Sequence, residues 1–189
     1  MRRRAVVFHG TGATPDVCWY GWLAGRLRAR GYEVEVPHHP GTNVEPIATF
    51  LPRVLAAHRF DAGTVLVGHS GGAALLLALL QELTEPVAQA VLVAGYWRPP
   101  GEEAEPVLRE SYDWERVRAG ARELCFVNSV EDPYGCDAQQ GLEMLQRLGG
   151  TLVVRPRGHF GDADDPCERL PLLERLIGGD DERQDPRGG

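Results

Sequence analysis

Lysine is absent from this chain of 189 residues: all 20 basic side chains are arginine. That excludes Schiff-base and lysine-nucleophile chemistry. It also excludes a Walker A phosphate loop, which needs a lysine after its glycines. Cys18, Cys125, Cys136 and Cys167 show no C-x-x-C pair and no zinc spacing, so neither a metal centre nor a disulfide framework is expected. Cys125, in an apolar run, reads as a small buried hydrophobe. Long hydrophobic runs are missing too. The stretch from Ala73 to Leu80 is too short to span a bilayer, and Ala5 to Phe8, behind Arg2-Arg3-Arg4, is too short for a signal's apolar region. The formal net charge is −7 and no long basic stripe occurs, which argues against nucleic acid as a partner. The expectation is a soluble, cytoplasmic protein that uses no cofactor and no membrane.

The composition that remains is 43% apolar and 25% charged, ordinary for a globular chain. Its length suits one domain, expected over residues 1–177. The last residues, Gly178–Gly189, are charged, glycine-rich and without periodicity, so that tail is expected to be disordered.

Short β-branched runs alternate with helical periodicity along the chain. Strands are expected at Ala5–Phe8, Glu33–Val36, Thr64–Val67, Val87–Ala94, Glu123–Asn128 and Thr151–Arg155. Helices are expected at Val17–Arg30, Pro46–His58, Gly72–Leu83, Asp113–Ala119, Ala138–Leu148 and Cys167–Ile177. Pro52 suggests a kink or a late start in the second of these. This alternation predicts an α/β fold: a mostly parallel sheet of about six strands, with helices on both faces and no large lid.

Serine is scarce, and one of the three sits in a telling context. Gly68-His69-Ser70-Gly71-Gly72 follows a strand and opens a helix. G-x-S-x-G in that setting holds a serine on a strained corner with its Oγ exposed. With 23 glycines in the chain, chance flanking of any of its serines has a probability of only about 4%. Ser70 is therefore the candidate nucleophile.

A serine hydroxyl needs a base, and the base needs a carboxylate to orient it. In such folds the chain order is Ser, then Asp or Glu, then His, each beyond a strand. Ser129-Val-Glu-Asp132-Pro133 follows the fifth strand, and Gly158-His159-Phe160 follows the sixth. His159 is the candidate base. His38, His39 and His58 are placed worse, and His69, beside the serine, must point elsewhere. Asp132 is the preferred acid, although it doubles as a turn-former before Pro133; Glu131, Asp137, Glu102 and Glu103 are the alternatives. Two backbone N–H groups are expected to stabilise an oxyanion, those of Gly71 and Thr11. Trp19, Trp22, Trp97 and Tyr112 are candidates to line an acyl pocket.

Taken together, Gly10-Thr11-Gly12, Trp19-Tyr20-Gly21-Trp22-Leu23, Gly68-His69-Ser70-Gly71, Tyr112–Trp114-Glu115, Asp132-Pro133 and Gly158-His159-Phe160 resemble the retinoblastoma-binding-protein-nine family of small serine hydrolases. The likeness runs from about Val6 to Ile177. It implies a reduced α/β-hydrolase fold with Ser70, Asp132 and His159 as catalytic triad. One departure is Gly161-Asp162 after the His-Phe pair, with Asp164 and Asp165 close by; this acidic group is expected to favour protonated His159 and raise the pH optimum. The expected activity is metal-free cleavage of carboxyl esters, thioesters or amides of small acyl groups, in a shallow pocket. Acyl transfer by the same residues, or a protein-binding role with little turnover, are the alternatives.

Overall fold

Residues 64–69 are buried throughout, the pattern of a parallel strand covered on both faces. The computed structural model, which describes residues 3–162 and 164–177, makes this segment, β3 (Thr64–His69), an interior strand of a six-stranded sheet. The other strands are β1 (Arg4–Phe8), β2 (Glu33–Glu35), β4 (Val87–Val93), β5 (Ala121–Glu131) and β6 (Thr151–Arg157). Their order is β2-β1-β3-β4-β5-β6, and every pairing is parallel.

The helices are α1 (Tyr20–Ala29), α2 (Ile47–Ala57), α3 (Gly71–Glu82), α4 (Trp114–Ala119), α5 (Ala138–Leu148) and α6 (Pro171–Leu176). The chain moves one way across the sheet from β1 to β2 and the other way from β2 to β6. Right-handed crossovers then put α1 on one face and α2 to α5 on the other. The contacts agree: α1 packs with α6, while α2, α3, α4 and α5 pack in succession. Ten consecutive residues of α3, Gly71 to Leu80, are buried, so this apolar helix fills the centre of its layer. The direction of winding reverses between β1 and β3, and ligands bind beyond the carboxyl ends of strands at such a switch. The two segments that leave those ends are 9–12 and Ser70.

Several boundaries differ from the sequence expectation. The first helix starts at Tyr20, not Val17, because Cys18 has φ of 54° and interrupts any helix there. The last helix starts at Pro171, not Cys167. Proline disfavours helical geometry in the residue before it, and Leu170 is accordingly extended, at φ −130° and ψ 77°. Pro52 sits inside α2 without shortening it. β5 and β6 run on to Glu131 and Arg157, which pair with each other. The tail expected to be disordered lies outside the described residues.

Candidate active site

The turn between β3 and α3 forces Ser70 to φ 52° and ψ −119°, a conformation that costs about 1–3 kcal/mol for a residue with a side chain. Backbone bonds hold it there. The Ser70 N–H donates to the Val93 carbonyl at 2.8 Å, and the Ser70 carbonyl accepts from Ala73 and Ala74. The flanking glycines permit the turn by close approach. A Cβ on Gly68 would lie 2.6 Å from the Gly72 carbonyl oxygen, and one on Gly72 would lie 2.5 Å from the His9 carbonyl oxygen.

Asp132 is the first residue beyond β5, and its two carboxylate oxygens do different things. Oδ1 accepts the Tyr134 N–H at 2.8 Å, closing the turn at Pro133. Oδ2 accepts from His159 Nδ1 at 2.8 Å. The Asp132 side chain is fully covered and that of His159 nearly so. Because the carboxylate only accepts, Nδ1 carries the proton in the neutral imidazole, and Nε2 is then the nitrogen that can take another. The His159 loop is tied to β5 as well: the Gly158 N–H donates to the Glu131 carbonyl at 2.9 Å, and Ser129 Oγ donates to the Gly158 carbonyl at 2.7 Å.

Ser70, His159 and Thr11 line one open cleft of about 930 Å³. A Cβ on Gly71 would collide with Thr11 Oγ1 and come within 3.4 Å of the Thr11 amide nitrogen, so the Gly71 and Thr11 backbones lie close together. Besides His69 and His159, the cleft lining carries the acidic residues Glu103, Glu105 and Asp162 and, among the described residues, no arginine. Glu105 is held by Asn43 Nδ2 at 2.6 Å and by the Tyr96 hydroxyl. Asp162 accepts the N–H groups of Asp164 and Asp165 at 2.8 and 2.7 Å.

The four aromatics expected to line an acyl pocket are not among the lining residues. Trp19 is fully buried, and its Nε1 donates to the Phe160 carbonyl at 2.7 Å. Trp22 packs half-buried against the core. Trp97 donates to Glu143 and lies under the Arg147 guanidinium, 4.1 Å from the ring centroid. Tyr112 packs on Trp114, ring centroids 5.1 Å apart. Helical spacing aims the first pair into the core, and the second pair belongs to a separate surface cluster over α5. Besides Tyr20, the aromatic residues that line the cleft are Tyr96, just beyond β4, and Tyr134, whose ring stands edge-on to His159 with centroids 4.6 Å apart. Position was the sequence signal of Tyr96 and Tyr134: both lie past the carboxyl end of a strand. Asn43 had none, since its role depends on a φ of 57° in a long loop.

His69 is buried, with its ring nitrogens against the Tyr20 hydroxyl and the His159 main-chain oxygen and its ring centroid 5.0 Å from that of His159. Burial, and then the neighbouring His159, lower its pKa to about 3, so it is neutral. Among the described residues, donor atoms of Asp132, Cys136 and His159 lie within 4.8 Å of one another. This set is a poor metal centre, because Asp132 and His159 already bind each other and burial pushes the Cys136 thiol pKa up.

The parallel sheet with this strand order, the strained serine corner and the covered histidine beyond the last strand define an α/β-hydrolase fold. The chain matches the serine hydrolase family over residues 5–178, and it belongs to that family. It is 27% identical over 169 residues to the serine hydrolase RBBP9 of Rattus norvegicus, covering 85% of this chain and 89% of that protein. It is 24% identical over 186 residues to the putative hydrolase YdeN of Bacillus subtilis, covering 94% and 95%. The crystal structure of the B. subtilis ydeN product superimposes with a TM-score of 0.82 at 22% identity, covering 94% of this chain and 97% of that one. No helix among the described residues is long and apolar enough to cross a membrane.

Proposed function

We propose that the protein hydrolyses carboxyl esters of small acyl groups, with thioesters and amides as related substrates, through an acyl-enzyme on Ser70. The observation that carries this reading is the covered hydrogen bond of 2.8 Å from His159 Nδ1 to Asp132, set in the cleft that Ser70 lines. Ser70 Oγ attacks the acyl carbon while His159 Nε2 takes its proton. Asp132 holds the imidazole and stabilises the imidazolium that forms. The oxyanion is met by the backbone N–H groups of Gly71 and Thr11. His159 then returns its proton to the leaving alkoxide, and a water activated by the same nitrogen releases the acid. No metal or cofactor takes part in these steps. The four cysteines are free thiols, a state that a reducing compartment maintains, and we assign the protein to the cytoplasm.

Labelling by a fluorophosphonate tests this. Wild type should label and turn over p-nitrophenyl acetate, whereas Ser70→Ala and His159→Ala should do neither. Esters of increasing chain length then map the acyl side, with rates falling as the chain grows. A folded wild type that resists the probe would overturn the reading.

A further inference from the structure

Two buried side chains, neither of them a reacting group, connect the loops on either side of Ser70. His69 Nε2 lies 2.7 Å from the main-chain oxygen of His159. His69 Nδ1 lies 2.6 Å from the Tyr20 hydroxyl, and that hydroxyl lies 3.2 Å from the Gly10 amide nitrogen. All of these contacts are buried. Tyr20 is the first residue of α1, and His69 the last of β3.

The chemistry of the end groups fixes where every proton sits. A carbonyl oxygen only accepts, so His69 Nε2 carries hydrogen and donates to His159. His69 is neutral, so its Nδ1 is bare and accepts the Tyr20 hydroxyl proton. The tyrosine oxygen then has a lone pair for the Gly10 N–H. The run is continuous, from Gly10 through Tyr20 and His69 to the backbone of His159. The Cys18 thiol also lies within hydrogen-bond range of the Tyr20 hydroxyl and flanks the run without interrupting it.

We infer that His69 and Tyr20 are positioning residues that hold the His159 main chain and the Gly10-Thr11 loop in fixed register on either side of Ser70. The inference rests on the roles proposed above for Ser70, His159 and Asp132. One end of the run fixes the residue whose ring must meet the Ser70 proton. The other end commits the Gly10 N–H to Tyr20, which leaves the next amide, that of Thr11, for the oxyanion. Base and oxyanion donor are thus referenced to each other through two buried side chains. The site needs such a tie because Phe160, next to His159, has φ of 60°, a strained conformation that persists only where its surroundings impose it.

The test uses three variants of the full chain. His69→Ala removes the donor to His159. His69→Gln restores an N–H close to the position of Nε2. Tyr20→Phe removes only a hydroxyl and keeps the shape, so its fold is secure. Misplacement by about 1 Å costs on the order of 10²-fold in rate, and His69→Ala should lose kcat for p-nitrophenyl acetate on that scale with KM unchanged. His69→Gln should recover most of the loss, and Tyr20→Phe should fall between. A readout independent of turnover is the downfield NMR signal of the His159 Nδ1 proton shared with Asp132. It should weaken or vanish by exchange in His69→Ala, shift in Tyr20→Phe, and return in His69→Gln.

Equal rates in the alanine and glutamine variants, or a loss expressed only in KM, would overturn the inference, because that is what lost packing alone does. An unchanged Nδ1 signal in both His69→Ala and Tyr20→Phe would overturn it as well. If wild type shows the downfield proton but resists a fluorophosphonate, the hydrolase reading fails instead, and the positioning role is then decided by the proton signal alone.

Discussion

The indole N–H of Trp19 donates to the carbonyl of Phe160 at 2.7 Å, joining the residue before α1 to the residue after the candidate base. Both partners are buried, and Phe160 holds a left-handed φ of 60°. Trp19→Phe keeps a ring in the core but leaves that carbonyl without its donor. A buried group left unpaired costs about 1–3 kcal/mol, and each kcal/mol lowers Tm by about 2–4 °C in a domain of this size. Trp22→Phe, at a half-buried site with no such bond, should cost less. Thermal melts of the two variants decide the matter; equal losses would mean that Trp19 acts by bulk alone.

Asp132 serves two donors with two oxygens, Tyr134 N–H and His159 Nδ1, and the two roles can be separated. Asp132→Asn can keep its carbonyl oxygen toward the Tyr134 amide and so preserve the turn. Its amide group, however, faces His159 as a donor and selects the wrong imidazole tautomer. In a Ser-His-Asp arrangement that exchange lowers kcat by on the order of 10⁴. The expected outcome is a folded protein with a near-native melting curve whose p-nitrophenyl acetate hydrolysis is lost. A variant that keeps more than about a tenth of the rate would remove Asp132 from the orienting role, since even one general-base contribution is typically 10²–10⁴.

What could be read from the sequence was local and periodic. β3, Ser70 and α3 announce themselves because an apolar strand, close-packed glycines and an apolar helix are consecutive. The order Ser70, Asp132, His159 was legible because each follows a strand whose parallel neighbours bring all carboxyl ends to one edge. The cleft walls were not legible. Tyr96, Tyr134 and Asn43 lie in loops whose course is set by distant partners, such as the bond from Asn43 to Glu105. The aromatic spacing around Trp19 and Trp22 is the same whether a helix faces the core or a ligand. The extension of β5 to Glu131 was hidden for another reason: Val130 is exposed, and its strand geometry comes from pairing with β6 rather than from an apolar run.

The corner at Ser70 depends on backbones closer than side chains allow. A Cβ on Gly72 would stand 2.6 Å from the Phe8 carbonyl oxygen and 2.5 Å from that of His9. These are backbone atoms of β1 and the residue after it, and neither can move without breaking the sheet or the Gly10-Thr11 loop. Gly72→Ala should therefore destabilise at the upper end of the about 1–3 kcal/mol seen for overpacking, and should also slow fluorophosphonate labelling. Gly21→Ala is the control, because a Cβ there meets nothing within 4 Å and alanine favours a helix. Urea denaturation of the two should move in opposite directions.

Acid should weaken the fold earlier than the carboxylates alone would. His69 has its pKa lowered to about 3 by burial and the nearby His159, and His39 to about 4 by burial and the nearby His58. Burial lowers that of His9 as well. Each of these takes up a proton near pH 6.5 when unfolded but stays neutral when folded. Between the folded and unfolded values the unfolded state binds more protons, so stability rises with pH. The contribution is fully present above about pH 6.5 and is lost as pH falls through the window down to about 4, below which His39 is protonated in both states while His69 continues to about 3. The slope is at most about 1.4 kcal/mol per pH unit for each histidine. Urea midpoints measured from pH 7.5 to 5 should decline steadily over the lower part of that range, where carboxylates are still ionised. His39→Gln should flatten the decline, and a stability that stays level from pH 7 to 5 would show that these rings are protonated in the folded protein after all.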